Sequence, residues 1–237
     1  MKTNLRTSGG FTLVELLVVI SIIATLAGVG VPVIMTKIKD GARAEAIGNI
    51  KQVGLAMFSF DQDYASYPSA DTVTQVTTNT GTDLTIAGPT KSNDYFRQLI
   101  AAGYIDSERS FYAKGTYTLK PDNVMKTTSC LAKGECGFAY IMDTGDKPLS
   151  SAGNSGRPLL ATSVFKAASD GTFDPDVYAK KAVLFRIDNS AVAESIRPSD
   201  MKVLIGAKTL LDSGDGTVWY DSATSSVTPT IVPPLSK

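Results

Sequence analysis

The longest hydrophobic run of the chain covers residues 11–35, and Glu15 is its only ionisable side chain. A helix rises about 1.5 Å per residue, so a run of this length can span a hydrocarbon core of about 30 Å. A carboxylate in lipid costs about 2.5–3.5 kcal/mol unless it is compensated. Glu15 therefore either snorkels to the headgroups or meets a charged partner.

Three residues that weaken helices lie near the end of this run, namely Gly28, Gly30 and Pro32. In a helix interior glycine costs about 1 kcal/mol relative to alanine, and proline costs about 3 kcal/mol. Two interpretations remain open for them: a tolerated kink, or a stretch in which the helix loosens for a functional reason.

Beyond the run the pattern becomes amphipathic, with apolar residues at every third or fourth position and polar residues between them. The apolar positions are Ile38, Ala42, Ala46, Ile50, Val53, Met57 and Phe60. We therefore predict one helix from Phe11 to Tyr64, with a buried stripe in its second half. Pro68 disfavours helix in the residue before it, so the helix should end before Ser66.

The rest of the chain predicts a small helix and then strands. Residues 69–92 are rich in threonine and predict a surface loop with at most a short strand. A short helix should follow, capped by Ser92 or Asn93 and ended by Gly103. Its apolar side consists of Tyr95, Phe96, Leu99 and Ile100.

Five segments rich in β-branched and aromatic residues predict strands. They are residues 138–142, 159–165, 182–187, 202–206 and 217–221. Glycine-containing turns at 153–156, 170–171 and 215–216 favour antiparallel connections between them. We therefore predict an α+β fold in which a long amino-terminal helix packs on an antiparallel sheet.

The small residues Gly9 and Gly10 precede the hydrophobic run, whereas in a secretory signal peptide they would follow it. The hydrophobic helix should therefore be kept after processing. This arrangement resembles the prepilin leader of type IV pilins and of type II secretion pseudopilins. The resemblance implies a leader of residues 1–10 that carries Lys2 and Arg6. It also implies that prepilin peptidase cuts the Gly10–Phe11 bond and that the new amino terminus of Phe11 is methylated.

The same resemblance implies a role for Glu15 and for Pro32. Glu15 is the fifth residue after the cut, where the glutamate of pilins meets the amino terminus of a neighbouring subunit. Pro32 is similar to the proline at which pilin helices loosen as subunits pack. The implied organisation is a leader over residues 1–10, a transmembrane and assembly helix over 11–36, and a pilin-like head over 37–237.

Cys130 and Cys136 enclose five residues. Outside the cytoplasm, where such a head would lie, a disulfide between them is expected to contribute about 2 kcal/mol. Zinc binding is disfavoured because the chain has no histidine and two thiolates are half a zinc site. A reactive pair is also disfavoured, since the spacing is not Cys-x-x-Cys.

Composition excludes several classes of function. The absence of histidine removes Ser-His-Asp and Cys-His catalysis, and no phosphate-binding glycine loop is present. Acidic and basic residues number 23 each, which gives no support for nucleic-acid binding. Major pseudopilins often carry calcium in a head loop, and the resemblance makes aspartates in glycine- or proline-containing loops the candidates for it. These candidates are Asp143, Asp146, Asp212 and Asp215, together with Asp170, Asp174 and Asp176.

The sequence thus predicts a structural filament subunit and no enzyme. We expect a pseudopilin of a type II secretion system in the inner membrane, with its head in the periplasm. Its partners would be other pilin-like subunits, prepilin peptidase, an inner-membrane assembly platform and membrane lipid. Two alternatives remain: a type IV pilin in a cell-surface filament, and a membrane-anchored envelope enzyme or binding protein. Tyr67-Pro68 and the short cysteine loop favour the pseudopilin, whereas the charges that flank the span do not fix its orientation.

Overall fold

The computed structural model describes residues 10–126, 129–162, 164–165, 168–221 and 226–237, without the side chains of residues 29, 30 and 32. Lys2, Arg6 and the other leader residues up to 9 lie outside the described residues. The chain divides into two units, one ending at Lys39 and the other comprising Asp40–Lys237. The second unit contains the core, and we call it the head.

A single helix, α1, covers Leu13–Tyr64 and confirms the predicted long helix, with a start two residues after Phe11. The helix continues through Gly28, Gly30 and Pro32, and both interpretations of these residues stay predictions. It ends where Ala65 takes a left-handed conformation with φ of 56°, just before Pro68 as predicted.

The second half of α1 buries the predicted stripe in the head. Five of its members are buried, namely Ala46, Ile50, Val53, Met57 and Phe60, and Ala42 is partly buried. The first predicted member, Ile38, is 51% exposed, so the prediction was wrong for that position. Gly54 lies against the strand that contains Phe185, where a Cβ atom would stand only 2.1 Å from Cζ of that residue. The helix and the sheet therefore meet through a glycine.

Residues 69–92 are not simply a surface loop, because α2 forms over Val73–Thr80. The threonine hydroxyls that suggested a loop instead bond within the helix. Thr77, Thr78 and Thr80 each donate to the carbonyl four residues earlier at 2.8 Å. Val76 is fully buried and attaches α2 to the core.

The predicted short helix is present as α3, Ser92–Ala101, but its cap differs from the prediction. The Asp94 carboxylate accepts from the backbone N–H groups of Thr90 and Lys91, both at 3.0 Å. Ser92 and Asn93 donate their side-chain protons to carbonyls of the head, so they do not cap the helix. Gly103, with φ of 80°, follows the end of α3 as predicted.

The sheet has five antiparallel strands in the order β4-β3-β2-β1-β7. Their ranges are β1 Phe138–Asp143, β2 Pro158–Thr162, β3 Lys181–Arg186, β4 Ala191–Ser195 and β7 Pro229–Val232. A separate two-stranded hairpin pairs β5, Leu204–Ile205, with β6, Lys208–Thr209. The α+β prediction is therefore confirmed, with a long helix and an antiparallel sheet.

Four of the predicted segments overlap the observed strands β1, β2, β3 and β5, whereas β4, β6 and β7 were not predicted. The strand predicted for residues 217–221 was wrong, because this segment forms turns. Trp219 is nevertheless buried, and its indole N–H donates to the carbonyl of Leu210 at 2.7 Å. The aromatic residue that suggested a strand in this segment therefore packs into the core from a loop.

Candidate functional site

The predicted cleavage bond lies in exposed backbone before α1. Gly10 is exposed, and a Cβ atom added to it would have no other atom within 4 Å. The side chain of Phe11 is 76% exposed. The fold therefore does not require glycine at position 10. A requirement for glycine there would come from an enzyme that binds this segment.

Glu15 has a partner in its own chain. Its Oε2 accepts from the backbone N–H of Thr12 at 2.8 Å and from the Thr12 hydroxyl at 2.7 Å. The N–H of Glu15 donates back to Thr12 Oγ1 at 3.2 Å. Because α1 begins at Leu13, these bonds form a capping box with Thr12 as the N-cap. Sequence reasoning missed this pairing, although the Thr-x-x-Glu pattern signals it.

The first part of α1 exposes a continuous apolar surface. Its large apolar side chains are 44–85% exposed from Leu13 to Met35 where the structure describes them. By length and composition this segment could cross a membrane, and none of its most apolar window is buried within the chain. So large an apolar surface indicates a lipid or protein partner. The side chain of Pro32 lies outside the description, so its predicted assembly role stays a prediction.

The disulfide predicted between Cys130 and Cys136 is not present in the structure, which has both as buried free thiols. The Cys136 thiol instead points to the carbonyl of Phe138, at 3.5 Å, and to Ser92 Oγ, at 4.0 Å. Burial raises the pKa of each thiol to about 12. Both are therefore protonated at neutral pH in this structure.

Two of the aspartates predicted to hold calcium accept hydrogen bonds from backbone N–H groups. Asp143 Oδ1 accepts from the N–H groups of Thr144 and Thr228, and Asp212 Oδ2 accepts from the N–H of Thr209. Of the described residues, only one group of three acidic side chains lies close enough to hold a metal, and Asp143, Asp146, Asp212 and Asp215 are not in it. Their calcium role stays a prediction.

The group of three consists of Glu108, Asp122 and Glu135, which we call the carboxylate cluster. One carboxylate oxygen of each lies within 4.8 Å of the other two. Glu108 is in a 3-10 helix, Glu108–Phe111, while Asp122 and Glu135 are in the irregular segment before β1. Burial raises the pKa of Glu108, and the charges of Glu135 and Asp122 raise it further, although the Leu131 N–H acts against them. Sequence reasoning missed this cluster.

Comparison with known proteins identified the amino-terminal segment. Residues 5–31 match the protein-family model described as the prokaryotic N-terminal methylation motif. This motif is the prepilin-type signature of type IV pilins and pseudopilins, so the resemblance seen in the sequence is confirmed. Searches of curated proteins and of solved structures found no match. The motif supports a pilin-like protein that is processed by prepilin peptidase.

Proposed function

We propose that this protein is a structural filament subunit, and specifically a pseudopilin of a type II secretion system. The observation that carries the proposal is the methylation motif at residues 5–31, which ends in a helix with an exposed apolar surface. A type IV pilin, major or minor, is the alternative, because both classes share this motif. In either case the subunit has a structural role and is not an enzyme.

The proposed cycle starts in the inner membrane, with residues 11–36 in lipid and residues 37–237, which include the head, in the periplasm. Prepilin peptidase removes residues 1–10 and methylates Phe11. An assembly platform then moves the subunit from lipid into a filament, where neighbouring helices replace lipid around α1. In a pilus, the head would instead reach the cell surface.

Glu15 has a defined part in this transfer. Before assembly its carboxylate is held by Thr12 of the same chain. In the filament we propose that it meets the amino terminus of a neighbouring subunit, where an ion pair compensates the charge in an apolar environment. In this exchange the Glu15 carboxylate leaves Thr12 and pairs with the amino terminus of the neighbouring subunit. Because only one register of packing brings these two groups together, that register would be favoured.

Processing can be tested by mass spectrometry of protein extracted from membranes. Wild type should begin with N-methyl-phenylalanine at position 11, and Gly10→Ala should accumulate as precursor. Gly28→Ala is the matched control, because Gly28 also has no atom within 4 Å of an added Cβ but lies away from the cut. Intact Met1 in a strain with active prepilin peptidase would refute the proposal.

Assembly can be tested with Glu15→Leu and Thr12→Ala, each as the sole copy in the cell. Thr12→Ala removes the hydroxyl of the capping box, which costs about 1 kcal/mol of helix stability, and leaves the carboxylate in place. If Glu15 pairs with a neighbour, Glu15→Leu should abolish filaments while Thr12→Ala assembles. Equal defects would mean that Glu15 acts only as a cap. The pseudopilin and the pilin are distinguished by which property is lost in the Glu15→Leu strain. Loss of protein secretion into the medium indicates a pseudopilin, and loss of surface filaments indicates a pilin.

A further inference from the structure

We propose that the carboxylate cluster of Glu108, Asp122 and Glu135 is a calcium site that ties together the segment between α3 and β1. This inference is independent of the proposed filament role, since it concerns only the head. The aspartates singled out in the sequence lie elsewhere, so this is a separate candidate site.

The spacing of the three groups suits one calcium ion. Calcium binds carboxylate oxygens at about 2.3–2.6 Å, so two oxygens on the same ion lie at most about 5 Å apart. The cluster meets this limit, because one oxygen from each carboxylate lies within 4.8 Å of the others. Small adjustments of the side chains would therefore bring all three to the ion.

A second observation points to a missing ligand. Glu108 is 0% exposed, and its Oε1 accepts from the N–H of Leu131 at 2.6 Å. Its Oε2 is buried and has no hydrogen-bond partner among the described residues. Buried polar atoms almost always have partners, and an unpaired carboxylate oxygen is especially costly. A cation in the cluster would supply the partner that this oxygen lacks.

The cluster also has no ion-pair partner among the described residues. None of the ion pairs between described residues includes Glu108, Asp122 or Glu135. Glu135, which is 5% exposed, accepts from the N–H groups of Asp122 at 3.1 Å and of Ala132 at 2.7 Å. These bonds hold the acidic groups next to each other, where their like charges repel unless a cation lies between them.

The ligand types favour calcium over other metals. The group offers only carboxylate oxygens, which suit hard cations and not zinc or copper. Magnesium demands a near-ideal octahedron at about 2.0–2.1 Å, whereas calcium accepts irregular geometry and more ligands. Asp122 is exposed and leaves the site open to solvent, so water could complete the coordination. A bound ion would join the 3-10 helix to the chain that leads into β1.

The test uses the full chain in detergent after removal of metal with a chelator. Isothermal titration with calcium chloride should show one site, and saturating calcium should raise the thermal midpoint of the head by several degrees, because the ion binds only the folded state. Magnesium chloride, as a second titrant, should give a smaller rise. Trp219, the single tryptophan, reports unfolding from within the head.

Two variants locate the site. Glu108→Gln keeps an oxygen for the Leu131 N–H but removes the charge. Asp122→Asn changes an exposed residue and keeps an oxygen that can accept from the Val124 N–H, which lies 2.8 Å from Asp122 Oδ1. Each should weaken calcium binding at least about tenfold, since affinity follows the number of charged ligands. In chelator both should melt at or above wild type, because repulsion is relieved. Asp83→Asn, at an exposed position outside the cluster, should bind calcium as wild type does.

Two results would overturn the proposal. One is the absence of calcium binding to wild type at millimolar concentration. The other is calcium binding that is equal in wild type, Asp122→Asn and Glu108→Gln, which would place the ion elsewhere, for example at Asp143 or Asp212. If Glu108→Gln fails to fold, Asp122→Asn decides alone.

Discussion

Gly54 is the position where one added methyl group should disturb the head most directly. It is buried in α1, and a Cβ atom there would lie 2.1, 2.3 and 2.5 Å from Cζ, Cε1 and Cε2 of Phe185. Carbon atoms pack at about 3.5–4.0 Å, so Gly54→Ala requires helix and sheet to separate by more than 1 Å, or the ring to move. Phe185 is itself fully buried and in edge contact with Phe58, which restricts the ring.

The size of the effect follows from two opposing terms. Alanine improves helix propensity by about 1 kcal/mol relative to glycine, and overpacking of a core costs about 1–3 kcal/mol. Gly48 provides the control on the same helix, because it is exposed and has no atom within 4 Å of an added Cβ. Gly48→Ala should therefore raise the free energy of unfolding by about 1 kcal/mol. The free energy of unfolding of Gly54→Ala should be about 1–3 kcal/mol lower than that of Gly48→Ala.

The assay is urea unfolding of the full chain in detergent, followed by the fluorescence of Trp219. The double variant Gly54→Ala with Phe185→Leu should recover part of the loss relative to the sum of the single variants, because the two sites are in contact. If Gly54→Ala stabilises the head as much as Gly48→Ala does, α1 does not contact β3 at Gly54 as described.

Two further predictions concern the segment around the cysteines. At about pH 8 in the folded protein, Cys130 and Cys136 should resist iodoacetamide, because burial raises the pKa of both thiols to about 12. Both should be labelled after denaturation without reductant. If the denatured protein is not labelled, the two cysteines form a disulfide and the free-thiol description is wrong. Arg97→Lys should lower the free energy of unfolding by about 2 kcal/mol, because the buried guanidinium donates to the Cys130 carbonyl and to Asp94, both at 2.7 Å. Arg109→Lys, at an exposed position, should change little, and equal losses would contradict this account.

The sequence predicted best where the hydrophobic signal is strong. The buried stripe of α1 and the central strands β1, β2 and β3 carry runs of apolar residues, and all were found. The two strands at the edges of the sheet were missed. β4 is only half buried, so its pattern is weak, and β7 is short and begins with Pro229.

The carboxylate cluster could not be predicted from spacing. Glu108 lies in a 3-10 helix, Asp122 and Glu135 lie in the irregular segment before β1, and neither repeat nor motif relates the three residues. Only the path of the chain between α3 and β1 brings them together. The amino-terminal methylation motif is different, because Gly10, Phe11 and Glu15 lie in one short continuous stretch of the chain. Its chemistry can therefore be inferred before any fold is known.

The pairing of β1 with β7 also sets an order of events while the chain is being made. Tyr140 in β1 faces Val232 in β7, and about 85 residues separate the two strands. At a synthesis rate of about 5–20 residues per second, β1 waits about 4–17 s for this partner. During that interval one edge of a strand that is almost entirely buried in the finished head is open to other chains. Crowded nascent chains are thus most vulnerable to mispairing in the interval before residue 232 has emerged.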